Sequence, residues 1–221
     1  MADYNKEEQG FNISDTLSRT EYFVENNKRN LSIVLGGIAL VVGGYFTYKA
    51  LVIAPQEKEA QAQMFVAERN FEQDSLKTAI AGFQSVIDDY GMTKAANLSH
   101  YYIGMSYLKQ GKYQEAIDAL KDYDAGDHVT GILATGAIGD AYMELGQTDD
   151  AISYYQKASG KDDNKYTSPL FMMKAGLAYE SVSKYSEALD LYTKIKKDYL
   201  DSNEGRDIDK YISRAESLNS K

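Results

Sequence analysis

Three glycines, Gly104, Gly139 and Gly176, stand 35 and then 37 residues apart, and the same residue types follow each at the same distances. A tyrosine comes three residues on, at Tyr107, Tyr142 and Tyr179. An alanine comes twelve residues on, at Ala116, Ala151 and Ala188, and a large apolar residue four later, at Leu120, Tyr155 and Tyr192. Between the tyrosine and the alanine lies a turn: Gly111-Lys112-Tyr113, Gly146-Gln147-Thr148 and Ser183-Lys184-Tyr185. A unit of this length holds two antiparallel helices and cannot bury its apolar face alone, so consecutive units must stack into one continuous core. Small residues at two fixed positions let the paired helices touch, and the aromatics fill the space between units. The fold class is therefore all-α, a helical solenoid.

This G-x-x-Y…A-x-x-x-F/Y pattern resembles the tetratricopeptide repeat. The units are expected at 97–130, 132–165 and 169–202. A degenerate unit is expected before them at 60–93, where Ala67, Ala79 and Phe83 take the places of glycine, alanine and aromatic. Ile208, Ile212, Ala215 and Leu218 recur at helical intervals among charged residues, which predicts a solubilising capping helix over 206–219. The joints between units carry AGDHVTG and SGKDDNKYTSP. Ser168 followed by Pro169 reads as an N-cap and a first-position proline.

The N-terminal quarter has a different character. From Leu31 to Tyr48 run 18 residues without a charge, and apolar character resumes after Lys49 as far as Ala54. About 20 mostly apolar residues suffice to cross a bilayer as a helix. Lys49 can snorkel near one end, Tyr45 and Tyr48 sit where interfacial aromatics sit, and Pro55 is expected to end the helix. A cleaved signal fits less well: the leader is long and acidic, and no A-x-A-like site follows in KALVIAPQEKEA. The division expected is a leader at 1–30, a membrane helix at 31–54 and a repeat domain at 55–221. Lys28 and Arg29 before the span favour a cytoplasmic N-terminus, which would place the repeats in the periplasm of a bacterium.

Composition removes several function classes. Residues 54–221 carry 27 acidic against 19 basic side chains, a poor balance for neutralising nucleic-acid phosphates. There is no cysteine, hence no disulfide and no thiolate chemistry. The two histidines, His100 and His128, have no partner at metal-ligand spacing. The pairs Asp88-Asp89, Asp149-Asp150 and Asp162-Asp163 read as solvated helix ends and loops; Asp162–Ser168 lacks the glycine and closing glutamate of a calcium loop. No enzyme, cofactor, metal or small-molecule substrate is expected.

What is left is a surface for protein. On the repeat register the first helix of each pair lines an inner, concave wall. Leu98, Tyr101, Met105 and Leu108 supply the first unit, Leu133 and Met143 the second, and Leu170, Met173 and Leu177 the third. Asp140, Glu144 and Glu180 are expected at its margins. The wall lacks the lysine and asparagine set of carboxylate-clamping repeats. Its methionines suit adaptable contact with extended or non-native chains. The other reading of the same residues is inter-helix core.

In the span, Gly36, Ala39, Gly43 and Thr47 share one helical face. Small residues let membrane helices approach closely, so this face is expected to dock against another membrane helix, in a second copy or in a different protein. The alternative is the general glycine richness of membrane helices. Ahead of the span, Ser18 and Glu21 fit a capping box that would start a short helix, EYFVENNKRN, with Tyr22, Phe23 and Val24 as its interfacial side.

The motif Phe23, Glu25, Asn26 and Lys28, then one glycine-rich span, then tetratricopeptide repeats, resembles the YfgM-type ancillary subunits of the SecYEG translocon. That resemblance implies an inner-membrane protein beside the translocon exit, working with periplasmic folding factors on emerging, still unfolded clients. The repeats here are clearer and the tyrosines more numerous than in that family. The alternative function is a structural adaptor of another envelope machine, for outer-membrane assembly or motility, binding a folded partner.

Overall fold

The computed structural model describes residues 13–125 and 128–220, and among them every regular element is helical. The acidic leader Met1–Gly10 and the side chains of Ser18 and His128 lie outside the described residues. The chain forms two units that divide between Ala54 and Pro55.

The first unit is α1, Ile13–Tyr48, followed by a π-helical turn, Lys49–Ile53. The start corrects the sequence reading. No short helix begins at a Ser18 cap; Ser18 lies inside α1, because nothing between Asn12 and Leu35 is a glycine or proline to interrupt it. Pro55 does not end a helix either. It is the second residue of α2, Ala54–Glu72. A proline lacks the N–H that would bond four residues back, and its ring crowds that carbonyl. The turn before it widens instead, with the Ala54 N–H donating to the Lys49 carbonyl five residues back.

The second unit is a series of helix pairs: α2 with α3 (Leu76–Tyr90), α4 (Lys94–Lys109) with α5 (Tyr113–Asp122), α6 (His128–Glu144) with α7 (Thr148–Gly160), and α8 (Thr167–Ser181) with α9 (Tyr185–Asp198). The last helix, α10 (Ile208–Asn219), packs on α9 with Ile208 and Ala215 buried and Arg214 paired to Glu180 at 2.8 Å. Each pair closes on one left-handed residue: Asp74, Gly111, Gly146 and Ser183, with φ between 57° and 74°. The first of these shows that the degenerate pair turns as the others do.

The close-approach positions behave as steric reasoning requires. A Cβ at Gly104 would come within 2.5 Å of Leu120, one at Gly139 within 2.7 Å of Tyr155, and one at Gly176 within 2.4 Å of Tyr192. In the first pair the roles are exchanged. Ala67 stands on α2, and the glycine is Gly82 on α3, whose Cβ would meet that of Ala67 at 2.9 Å. Stacking then buries one cluster per junction, for example Met64, Ala67, Phe83, Val86 and Ile103 at the first.

Ser168 is not a cap. The helix begins at Thr167, and the Asn164 side-chain oxygen accepts from the N–H groups of both Tyr166 and Thr167. Ser168 is fully buried and donates to the Asp162 carbonyl, so it ties the joint down. Asparagine, free to fold back on the following backbone, takes the orphan donors first.

Ser183 has a left-handed φ of 60° without being glycine. Left-handed backbone costs an ordinary residue about 1–2 kcal/mol, and glycine gives back roughly half in unfolded-chain entropy. Ser183→Gly is expected to raise unfolding free energy by about 0.5–1 kcal/mol, measured by urea denaturation.

A candidate protein-interaction surface

The inner wall is built by α4, α6 and α8, whose neighbours along the solenoid touch one another. Leu98, Tyr101, Met105 and Leu108 are half-buried and pack against Ile117, Leu120 and the alanines of α6. Tyr101 stands edge-on to Tyr102 at 5.5 Å and tilts over Tyr123 at 5.8 Å. Met143 and Leu170 pack on the next cluster, and Met173 on the last. Two wall residues face solvent, Leu133 at 37% and Leu177 at 41% exposure. Seven of the nine thus divide their surface between inter-helix core and wall, and Leu133 and Leu177 are the outward apolar contacts.

The polar part of this wall was read too simply from sequence. Asp140 is no bystander at the margin. Lys174 Nζ lies 2.7 and 2.8 Å from its two carboxylate oxygens, and the Tyr155 hydroxyl donates to Oδ1 at 2.7 Å. Lys174 also sits 5.8 Å from the centres of the Tyr155 and Phe171 rings, so one cation serves a carboxylate and two π faces. The ion pair is about one-third exposed on each side. It links the second and third units across the wall. The signal was available: Lys174 follows Asp140 by 34 residues, one repeat length. Glu144 accepts from the Tyr113 hydroxyl at 3.1 Å, and Glu180 holds Arg214. All three wall carboxylates are engaged within the domain.

Burial pushes the Tyr155 hydroxyl well above the usual tyrosine range, and the Asp140 carboxylate adds to the shift. Burial also raises Tyr102, to about 12, with Glu68 reinforcing it, and raises Tyr192. Each keeps its proton at any physiological pH and acts as a donor or a filler, not as an acid. A cleft of about 800 Å³ opens between α7, α8 and α9 and includes Gln156, Asp163, Lys194 and Tyr199. The Tyr199 hydroxyl donates to Asp163 there. Among the described residues no three histidine, cysteine or acidic side chains gather to hold a metal ion.

On α1, Gly36, Ala39, Gly43 and Thr47 are exposed, and the Thr47 hydroxyl donates to the Gly43 carbonyl at 2.8 Å. A Cβ at Gly36, Gly37, Gly43 or Gly44 would meet no atom within 4 Å. By length and composition this helix is apolar enough to cross a membrane, and its most apolar stretch, of mean hydropathy 1.8, has no buried residue. Phe23, Glu25, Asn26 and Lys28 are exposed as well, with Phe23 at 59%.

These features define a helical-repeat scaffold for protein contacts. The tetratricopeptide repeat-like domain matches residues 54–184, and the chain belongs to that family. Its fold is similar to that of a Podosopora anserina protein with nearly identical TPR-like repeats, at 16% identity and a TM-score of 0.58, over 74% of this chain and 88% of that one. A tetratricopeptide repeat protein from Parabacteroides merdae gives 17% identity and a TM-score of 0.61, over 72% of this chain and 61% of the other. MamA gives 18% and 0.52, over 70% and 95%. At this identity the likeness is one of fold. No curated protein sequence matches the chain.

Proposed function

We propose that this protein is a scaffold anchored in the bacterial inner membrane by one span, with its repeats in the periplasm, and that it attends the SecYEG translocon and receives emerging polypeptides on its inner wall. The observation that carries this reading is the order of parts. An exposed Phe23, Glu25, Asn26, Lys28 motif precedes an unburied apolar helix, and a tetratricopeptide domain follows. The positive residues Lys28 and Arg29 support the orientation. The exposed Leu133 and Leu177, with Met105, Met143 and Met173 beside them, support adaptable contact with chains that lack a fixed shape. Membrane helices associate by close packing of small faces, and the glycines of α1 leave such a face open.

The test is photo-crosslinking in the native membrane from a probe at Gly43, with Val42 as the control position. Crosslinks from Gly43 to translocon helices, absent from Val42, are the expected result. Crosslinks only to a second copy, or only to another envelope complex, discard the translocon assignment and leave the repeat scaffold intact.

A further inference from the structure

The first helix pair of a solenoid shows its outer side to whatever precedes it. At each inner junction that side is covered. Ile103, Ile138 and Ala175, the residues just before the register glycines, are at most 5% exposed. They sit in clusters with the second helix of the preceding pair: Ile103 with Phe83 and Val86 of α3, Ile138 with Ile117 and Leu120 of α5, Ala175 with Ile152 and Tyr155 of α7. The residue at this place on α2 is Val66, and it is 60% exposed, beside Phe65 at 57%. Between α2 and α3 lies an open crevice of about 470 Å³, floored by Ala67 and Gly82 and walled by Gln63, Val66 and Asn70 on one side and Ala81 and Ser85 on the other.

The far side of the crevice has changed in step. The places of Thr78, Ala81 and Ser85 are taken on α5 by Glu115, Asp118 and Asp122, which face water. Here they are small and uncharged. We propose that the α2–α3 crevice is the docking seat for an amphipathic helix of a partner protein, laid where a preceding repeat would put its second helix. At Ala62 and Val66 the seat continues the stacking interface that joins every other pair, and it is flanked by Glu59 and Arg69, which stand where Ala96 and Ser106 are buried. A second copy stacked head to tail is a poor occupant, because the opposite end of the solenoid is closed by α10, whose outer side shows Lys210, Ser213 and Ser217. Arg69 stands where Ser106, Ala141 and Ala178 are buried at the inner junctions, and its guanidinium lies 5.1 Å from the Phe65 ring centre. It bars close approach at that end, so the partner helix meets it with a carboxylate while an aliphatic stripe at i, i+3 and i+7 enters the crevice. This seat is independent of which membrane complex the span contacts.

The probe is the helix that fills the equivalent seat one unit on: a fluorescent peptide of sequence SLKTAIAGFQSVIDDY, residues 75–90. Its binding to the full chain in nanodiscs is followed by anisotropy, with a scrambled peptide as control. Saturable binding of the peptide alone is expected, weakened at least about tenfold by Val66→Glu, at the exposed place whose equivalents are buried at the inner junctions. Ala62→Arg, also exposed and at the place of the buried Ser99, serves if that variant melts early. No saturable binding up to about 1 mM, or binding indifferent to these variants, overturns the proposal. The chain has no cysteine, so Val66→Cys carries a single spin label. A short label-to-label distance between two copies overturns it in favour of self-association.

Discussion

Phe83→Ala is expected to cost the repeat domain about 3–5 kcal/mol of unfolding free energy, read as a lowered urea midpoint by far-ultraviolet circular dichroism. Phe83 is fully buried and lies parallel to Tyr102, ring centres 4.9 Å apart. It sits in one cluster with Met64 and Ala67 of α2, Val86 of its own helix, and Ala95, Ala96 and Ile103 of α4. The neighbours are small or held by their own helices, so the cavity left by the ring does not close. The cost is that of lost contacts plus an unfilled void. Solenoid stability is passed from neighbour to neighbour, so the loss reaches α4 and α5 through Tyr102 and Ile103. A loss below about 1 kcal/mol would mean that the first pair is uncoupled from the rest. It would then be an appendage of α2 and not the first unit of the array.

The parts of this fold that were legible in the sequence are those set by contact distance alone. Gly104, Gly139 and Gly176 face Leu120, Tyr155 and Tyr192 because no Cβ fits there, and such a constraint repeats at a fixed spacing. The first pair was harder to see because its small residue changed helices, from the Ala67 position to Gly82. Choices between competing local partners were not legible. Asn164 and Ser168 are both able caps, and only the folded joint decides that Asn164 takes the free N–H groups. Pro55 reads as a stop, yet one widened turn absorbs it. At the surface, the repeat register did not separate Leu133 and Leu177 from Met105 or Leu98. Exposure on one helix is decided by the residues of the next unit. The Asp140–Lys174 pair was not legible for the same reason: its halves lie 34 residues apart, and Asp140 read singly is only a charge at the wall's margin.

That distinction determines how the inner wall should be tested. Met105 is the obvious target from sequence, but it is half-buried against the cluster that joins α5 and α6, and a carboxylate there would be partly desolvated within the core. Loss of binding by Met105→Glu would then report loss of fold. Leu133→Glu with Leu177→Glu avoids this, because both side chains already face water. The pair is expected to weaken binding of a permanently unfolded client at least about tenfold and to abolish suppression of its aggregation, with the melting temperature within about 2 °C of the unaltered chain. Two effects act together: apolar contact is removed, and two negative charges join a wall that already holds Asp140, Glu144 and Glu180. Leu133→Ala with Leu177→Ala separates them. If the alanine pair weakens binding as much, apolar contact dominates. If it binds nearly as the unaltered chain does and the glutamate pair does not, repulsion dominates and raised salt restores binding. Undiminished suppression by the glutamate pair removes the wall as a client surface. The scaffold then works by holding folded partners, and the open α2–α3 crevice becomes the first place to look for one.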